Sequence, residues 1–289
     1  MNRRRFLAIS AAALALPARA EPIRWTGRAL GAEATLTLHA PAAQAQAAIA
    51  AVQAELTHIE ALFSLYDPAS HLSRLNAAGR LSDPHPDLLD LLRHADDAHH
   101  WTGGAFDPTV QPLWQALATG RDTQAAKRLI GGDRVSINEH EITLAPGQAL
   151  TLNGIAQGYA TDRIAARLRT LKMHRVLVNI GEYAAVGGPW RLGIADPAQG
   201  LIATRTLHDR AIATSSAHAT RVGGRSHLLG PRAPLWSTVS VEANNATLAD
   251  ALSTGFSLMN EATIRATLAL LPKRVSVLLV DEHGERRMI

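Results

Sequence analysis

The chain has no cysteine, and that absence removes several function classes at once. Zinc–thiolate sites, thiol catalysis, structural disulfides and lipid attachment to an N-terminal cysteine are all excluded. Aromatic residues are scarce, at 4%, so Ala, Leu and Val must fill the core that a 47% apolar fraction allows. No apolar run reaches the roughly 20 residues needed to span a bilayer. Charge of one sign is also missing once the first residues are set aside. The net charge is +4, from 29 basic and 25 acidic residues, and Arg3, Arg4, Arg5 and Arg19 account for all of it. The rest is neutral and offers no basic field to nucleic acid or anionic lipid. No H-E-x-x-H pair, G-x-S-x-G elbow or Walker loop is present. The thirteen histidines, His94, His99 and His100 among them, are therefore expected to be solvated surface and not a metal site.

What is present begins with an address. Arg3-Arg4-Arg5-Phe6-Leu7 places adjacent arginines before an apolar stretch ending at Leu16, followed by Pro17 and Ala18-Arg19-Ala20. This order fits a cleavable twin-arginine signal over residues 1–20, leaving a domain over 21–289 and a periplasmic location.

Apolar residues at helical spacing predict a long helix over Ala42–Phe63, with others over Pro86–Trp101 and Ile155–Leu171. Ser64 to Gly79 reads as a turn-rich segment. From Val135 onward short strands dominate, including Val176–Ile180, Ala184–Val186, Ala211–Thr214 and Thr238–Glu242. Helices over Leu248–Met259 and Ala262–Leu271 and a closing hairpin over Val275–Ile289 complete the chain. Without a regular βαβ beat, the class is α+β, with mixed strands and helices.

Three segments carry residues that packing alone would not select. Gly103-Gly104-Ala105-Phe106-Asp107-Pro108 lets backbone approach a ligand and fixes a carboxylate in a turn, yet it also reads as ordinary helix-end punctuation. Asn153-Gly154-Ile155-Ala156-Gln157-Gly158 runs into a helix whose positive end suits a pyrophosphate, though Asn153 reads equally as a cap. In Thr247-Leu248-Ala249-Asp250-Ala251-Leu252-Ser253-Thr254, the residues Asp250, Ser253 and Thr254 share one helix face and offer hard oxygen ligands suited to Mg²⁺. The competing reading is a capping box between Thr247 and Asp250.

The order of these segments decides among the readings. Phe63 to Asn76 resembles F-S-x-Y-x-x-x-S-x-L-S-x-L-N, Gly103 to Val110 resembles G-G-A-F-D-P-T-V, and Asn153 to Ala160 resembles G-G-I-A-K-G-Y-A. Val178-Asn179-Ile180-Gly181, Gly193-Ile194-Ala195-Asp196-Pro197, His227 to Arg232 and Leu248 to Thr254 follow in the same order. Together they resemble the ApbE-type FAD:protein FMN transferases, over roughly Leu30 to Met259. The resemblance implies a T-fold-like flavin transferase fold that uses FAD as substrate with Mg²⁺. It implies a metal held by Asp250, Ser253, Thr254 and the Gly154 backbone. It further implies FAD contacts from Leu30, Tyr66, Ala105, Phe106, Asp107 and Leu229 and at the Thr151 and Gln157 positions, and a role for His227 in activating the acceptor hydroxyl. The partner it implies is an acceptor protein, a flavin subunit of a membrane redox complex, modified on Thr or Ser with release of AMP. The alternative is a non-catalytic periplasmic flavin-binding protein.

This chain departs from the family pattern at four places. Thr151 stands for an aspartate, Gln157 for a lysine and Gly230 for an aspartate, and Gly181-Glu182-Tyr183 stands where Gly-Gly-Asp is usual. Each lost charged hydrogen bond is worth about 1.5–3 kcal/mol, so these changes are expected to weaken the grip on FAD.

Overall fold

The computed structural model describes residues 21–271 and 274–289; the expected signal at residues 1–20 lies outside them. Eight strands form one antiparallel sheet in the order Ile23–Ala29, Ala32–Leu38, Val176–Asn179, Tyr183–Val186, Ala211–Ser216, Thr238–Ala243, Ser276–Val280 and Arg286–Met288. The second and third of these are adjacent in space but far apart in sequence. The intervening chain holds the helices Ala42–Phe63, His71–Ala78, Pro86–Trp101 and Gln111–Thr119.

Both faces of the sheet are covered, and the strand period of two decides which residue goes where. Ala184 and Val186 join the large core with the 42–63 and 156–170 helices, while Ala185 points to the opposite face. In the same way Val277 and Leu279 pack with the 246–256 helix, whereas Leu278 and Val280 pack under the hairpin Trp190–Asp196 and Gly200–Leu207. A sheet wrapped on both sides explains why its strands read as apolar runs with small alanines.

The 42–63 helix forms as its spacing predicts. Ala45, Ala48, Val52, Leu56, Ile59 and Phe63 recur every three or four residues and are all buried. The segment expected to be only turn-rich contains an eight-residue helix, His71–Ala78. Ser70 caps it by accepting the Ser73 N–H at 3.0 Å, and Gly79 ends it in the left-handed region. Leu72 and Leu75 are its only buried apolar contacts; two points in one turn are too few to reveal a helical period. A first strand at 23–29 and the 111–119 helix are likewise additions to the sequence reading. No helix among the described residues is long and apolar enough to cross a membrane.

Candidate active site

Two helices, Ala156–Thr170 and Ala246–Phe256, pack in close contact. Gly158 makes the contact possible. A Cβ there would stand 2.3 Å from the Ala246 carbonyl oxygen and 2.8 Å from the Asp250 Cβ. Each helix then caps the other. The Gly158 N–H, an orphan donor of the first turn, donates to Asp250 Oδ2 at 2.9 Å. In return, Asp162 accepts the N–H groups of Ala246 and Thr247, both at 2.8 Å, and the Thr247 hydroxyl at 2.6 Å.

This arrangement removes the capping-box reading. The cap of the 246–256 helix is Asn245, whose side chain accepts the Leu248 N–H at 2.8 Å. Asp250 is turned away from its own helix start and into a cleft of about 270 Å³. The cleft is lined by Ala105, Phe106 and Asp107 from one loop, Thr151 and Gly154 from a second with Gln157 from the helix it leads into, and His227 and Leu229 from a third. Thr254 and Glu182 close it beside Asp250.

Not every expected site residue lies there. Tyr66 is 84% exposed and lines a separate, larger groove with Pro68 and Arg121. Leu30 sits in the turn between the first two strands, its N–H donating to Glu60 Oε1 at 3.0 Å. Ser253 is fully buried behind the cleft wall. Its hydroxyl meets that of Ser215 at 2.8 Å, and Ser215 in turn lies 3.4 Å from the Thr254 hydroxyl.

Each loop is held by identifiable bonds. Asp107 is a shaping residue of its turn: Oδ1 accepts from the Thr109 N–H and hydroxyl, and Oδ2 accepts from the Gly132 N–H. The Thr151 N–H donates to the Pro108 carbonyl at 2.8 Å and ties the second loop to the first. His99, expected on the surface, is buried, and its Nδ1 lies 3.1 Å from the Phe106 carbonyl. The contrary expectation fails because Leu88, Leu92, Ala95 and His99 form one buried stripe on the 86–101 helix. His227 Nδ1 faces the Thr220 carbonyl at 3.1 Å. A carbonyl only accepts, so Nδ1 is the donor, and in that tautomer the lone pair is on Nε2.

The electrostatics centre on two acids. Asp250 is 3% exposed, and burial, only partly offset by the Gly158 N–H, raises its pKa to about 7. Glu182 is buried beside it and accepts the Thr214 N–H at 3.1 Å. Burial first, then the Asp250 charge, pushes its carboxyl well above the usual range. Neither acid has an ion-pair partner among the described residues. Two buried carboxylates with adjacent hydroxyls form an all-oxygen donor set, which suits a hard divalent cation such as Mg²⁺. Glu182 entered the sequence reading only as a departure; its signal was an acid ending the apolar Val176–Ile180 run. Gly230, another departure, is accounted for locally: a Cβ there would stand 2.4 Å from Leu258 Cδ1.

A family model described as the ApbE family matches residues 30–279. An FAD:protein FMN transferase of Klebsiella pneumoniae is 28% identical over 180 residues, covering 54% of this chain and 56% of the relative. Another from Rhodobacter capsulatus is 26% identical, over 84% of this chain and 52% of the relative. The chain thus spans little more than half the length of these two curated relatives. One from Haemophilus influenzae is 26% identical, over 73% and 72% of the two chains. Among solved structures, the flavin transferase ApbE from Vibrio cholerae superposes with a TM-score of 0.78 at 22% identity, covering 93% of this chain and 96% of that one. The apbe protein from Thermotoga maritima gives a TM-score of 0.81 at 24% identity, covering 92% and 96%. At such identities the likeness carries the fold, and it agrees with the α+β flavin transferase architecture expected from the motifs.

Proposed function

The chain belongs to the ApbE family, and from that premise we propose that it transfers FMN from FAD to a Thr or Ser hydroxyl of an acceptor protein. The observation that carries this reading is the uncompensated Asp250–Glu182 pair, set beside the first turn of the 156–170 helix. Ile155, which precedes that turn, makes no side-chain cap, and the turn's positive end favours a pyrophosphate. Asp250, Glu182, the Thr254 hydroxyl and the Gly154 backbone would hold Mg²⁺, with Ser253 supporting through Ser215. When bound, Mg²⁺ would neutralise pyrophosphate oxygens and stabilise charge on the leaving phosphate.

The chain's own residues have separate tasks. Ala105, Phe106 and Leu229 give the flavin nucleotide an apolar wall, and Asp107 keeps the turn in shape. The acceptor hydroxyl oxygen attacks the FMN-side phosphorus, and the bond from that phosphorus to the AMP oxygen breaks. His227, with Nε2 free, takes the hydroxyl proton. The acceptor we favour is the exported flavin subunit of a membrane redox complex, which fits a periplasmic enzyme with a twin-arginine leader.

Incubation of the purified chain with FAD, Mg²⁺ and such an acceptor tests the reading. The expected result is an acceptor heavier by one FMN and an equal yield of AMP. FAD binding with no AMP released would make the chain a flavin carrier, and FMN and AMP both free in solution would make it a pyrophosphatase.

Two further outcomes are expected. Thr151 and Gln157 both line the cleft, and the Gln157 amide lies over Gly181. Restoring charge with Thr151→Asp and Gln157→Lys leaves the net charge unchanged, so any gain must be local. We expect FAD to bind about tenfold more tightly, which needs only about 1.4 kcal/mol. Calorimetric titration with and without Mg²⁺ reads it. If neither protein binds FAD, the cleft is not a flavin site. For export, replacing Arg3 and Arg4 by Lys should leave unprocessed precursor in the cytoplasm, visible by fractionation; normal processing of that variant would count against the twin-arginine leader.

A further inference from the structure

Away from the cleft, three side chains able to ligate a metal converge from two helices that share no local motif. His58 lies on the 42–63 helix, His85 caps the start of the 86–101 helix, and Asp87 belongs to its first turn. One ligand atom from each lies within 4.8 Å of the others, and all three residues are partly exposed. His58 Nε2 is 2.9 Å and His85 Nδ1 is 3.8 Å from Asp87 Oδ2. A further imidazole lies nearby. His71, first residue of the 71–78 helix, has its ring centroid 6.3 Å from that of His85. Its Nδ1 is buried with no hydrogen-bond partner among the described residues.

We propose that His58, His85 and Asp87 form a second metal site, for a transition metal of the Zn²⁺ class. Imidazole and carboxylate donors in that ratio suit Zn²⁺, Co²⁺ or Ni²⁺ better than Mg²⁺, which prefers oxygen alone. The ion takes the place of the proton between His58 Nε2 and Asp87 Oδ2. It also draws His85 Nδ1 away from the Asp87 N–H it now accepts at 3.1 Å. Asp87 Oδ1 keeps its bond from Arg163 at 3.0 Å, and Arg163 is itself held by Glu55 at 2.9 Å. That pair fixes the plane of the carboxylate, the part such outer partners play at metal centres. An ion here would fasten the 42–63 helix to the 86–101 helix, whose far end leads into the Gly103–Asp107 turn of the cleft.

The site was invisible in the sequence because His58 and His85 lie on two elements at no regular spacing. It does not depend on the transferase reading.

Equilibrium dialysis of the purified chain against micromolar Zn²⁺, with millimolar Mg²⁺ present to occupy oxygen-rich sites, tests the assignment. One Zn²⁺ per chain is expected. His58→Gln combined with His85→Asn, which keeps a capping side chain on the helix, should weaken uptake at least about tenfold. His100→Gln, on an exposed face, and Asp250→Asn, in the cleft, should leave uptake unchanged. Any one of three results overturns the proposal: no Zn²⁺ on the wild-type chain, full uptake by the double variant, or uptake lost with Asp250→Asn.

Discussion

Asp250→Asn is expected to lower flavin transfer by roughly 10²–10³-fold, the several kcal/mol that a positioned cation supplies, while the chain stays folded. The asparagine oxygen still accepts the Gly158 N–H, so the helix contact keeps its bond and only the charge is lost. Stability should move the opposite way from activity. The folded Asp250 pKa of about 7 lies above the ordinary unfolded value of about 3.9. The folded state therefore holds a proton that the unfolded state has released. Without metal, this contribution to stability is greatest below about pH 4 and is lost as pH rises through 7. At pH 8 in chelator the variant should melt above the wild type, and at pH 4 the difference should shrink. Turnover and melts on the same preparations read both effects. Unchanged turnover would remove Asp250 from the proposed metal site, and a lower melt at pH 8 would mean that its charge is compensated by a group not identified above.

The second large effect is structural. Gly158→Ala puts a methyl group 2.3 Å from the Ala246 carbonyl oxygen and 2.7 Å from its carbon. Backbone on the facing helix cannot yield as a flexible side chain would, so the helices must part. Overpacking of this kind costs about 3 kcal/mol or more, a fall in melting temperature of roughly 6–12 °C for a domain of this size. Activity should fall with it, because the same displacement pulls Asp250 away from the 156–170 helix. Alanine is the better helix former by about 1 kcal/mol, so a variant as stable as the wild type, or more so, would mean that the two helices do not approach this closely.

Much of the architecture was legible along the chain. The 42–63, 86–101 and 156–170 helices announce themselves by apolar spacing, and the strands after Val135 by short apolar runs between turn residues. The Gly103–Asp107 turn and the Asp250 helix could be located as chemically unusual, and their order with the other motifs pointed to the family. Two kinds of information were missing. Short elements such as 71–78 hold too few buried positions to display a period. Side-chain fate was also hidden: His99 looked like a surface residue of a polar helix and proved to be buried against the Phe106 carbonyl.

By itself, then, the sequence determined the types of the longer elements, the α+β class, the absence of thiol chemistry, and which segments are chemically unusual. These are local properties, written in the spacing and chemistry of neighbouring residues. Only the tertiary structure decided which carboxylates face each other. Asp250 and Glu182 come together because the 246–256 helix packs on the 211–216 strand, whose Thr214 N–H holds the Glu182 carboxylate, and because Gly158 lets a second helix approach Asp250. The same holds for His58, His85 and Asp87, and for the separation of Tyr66 and Leu30 from the cleft. Burial fixes these relations: desolvation and hydrogen-bond satisfaction act between surfaces that meet only when the chain has folded.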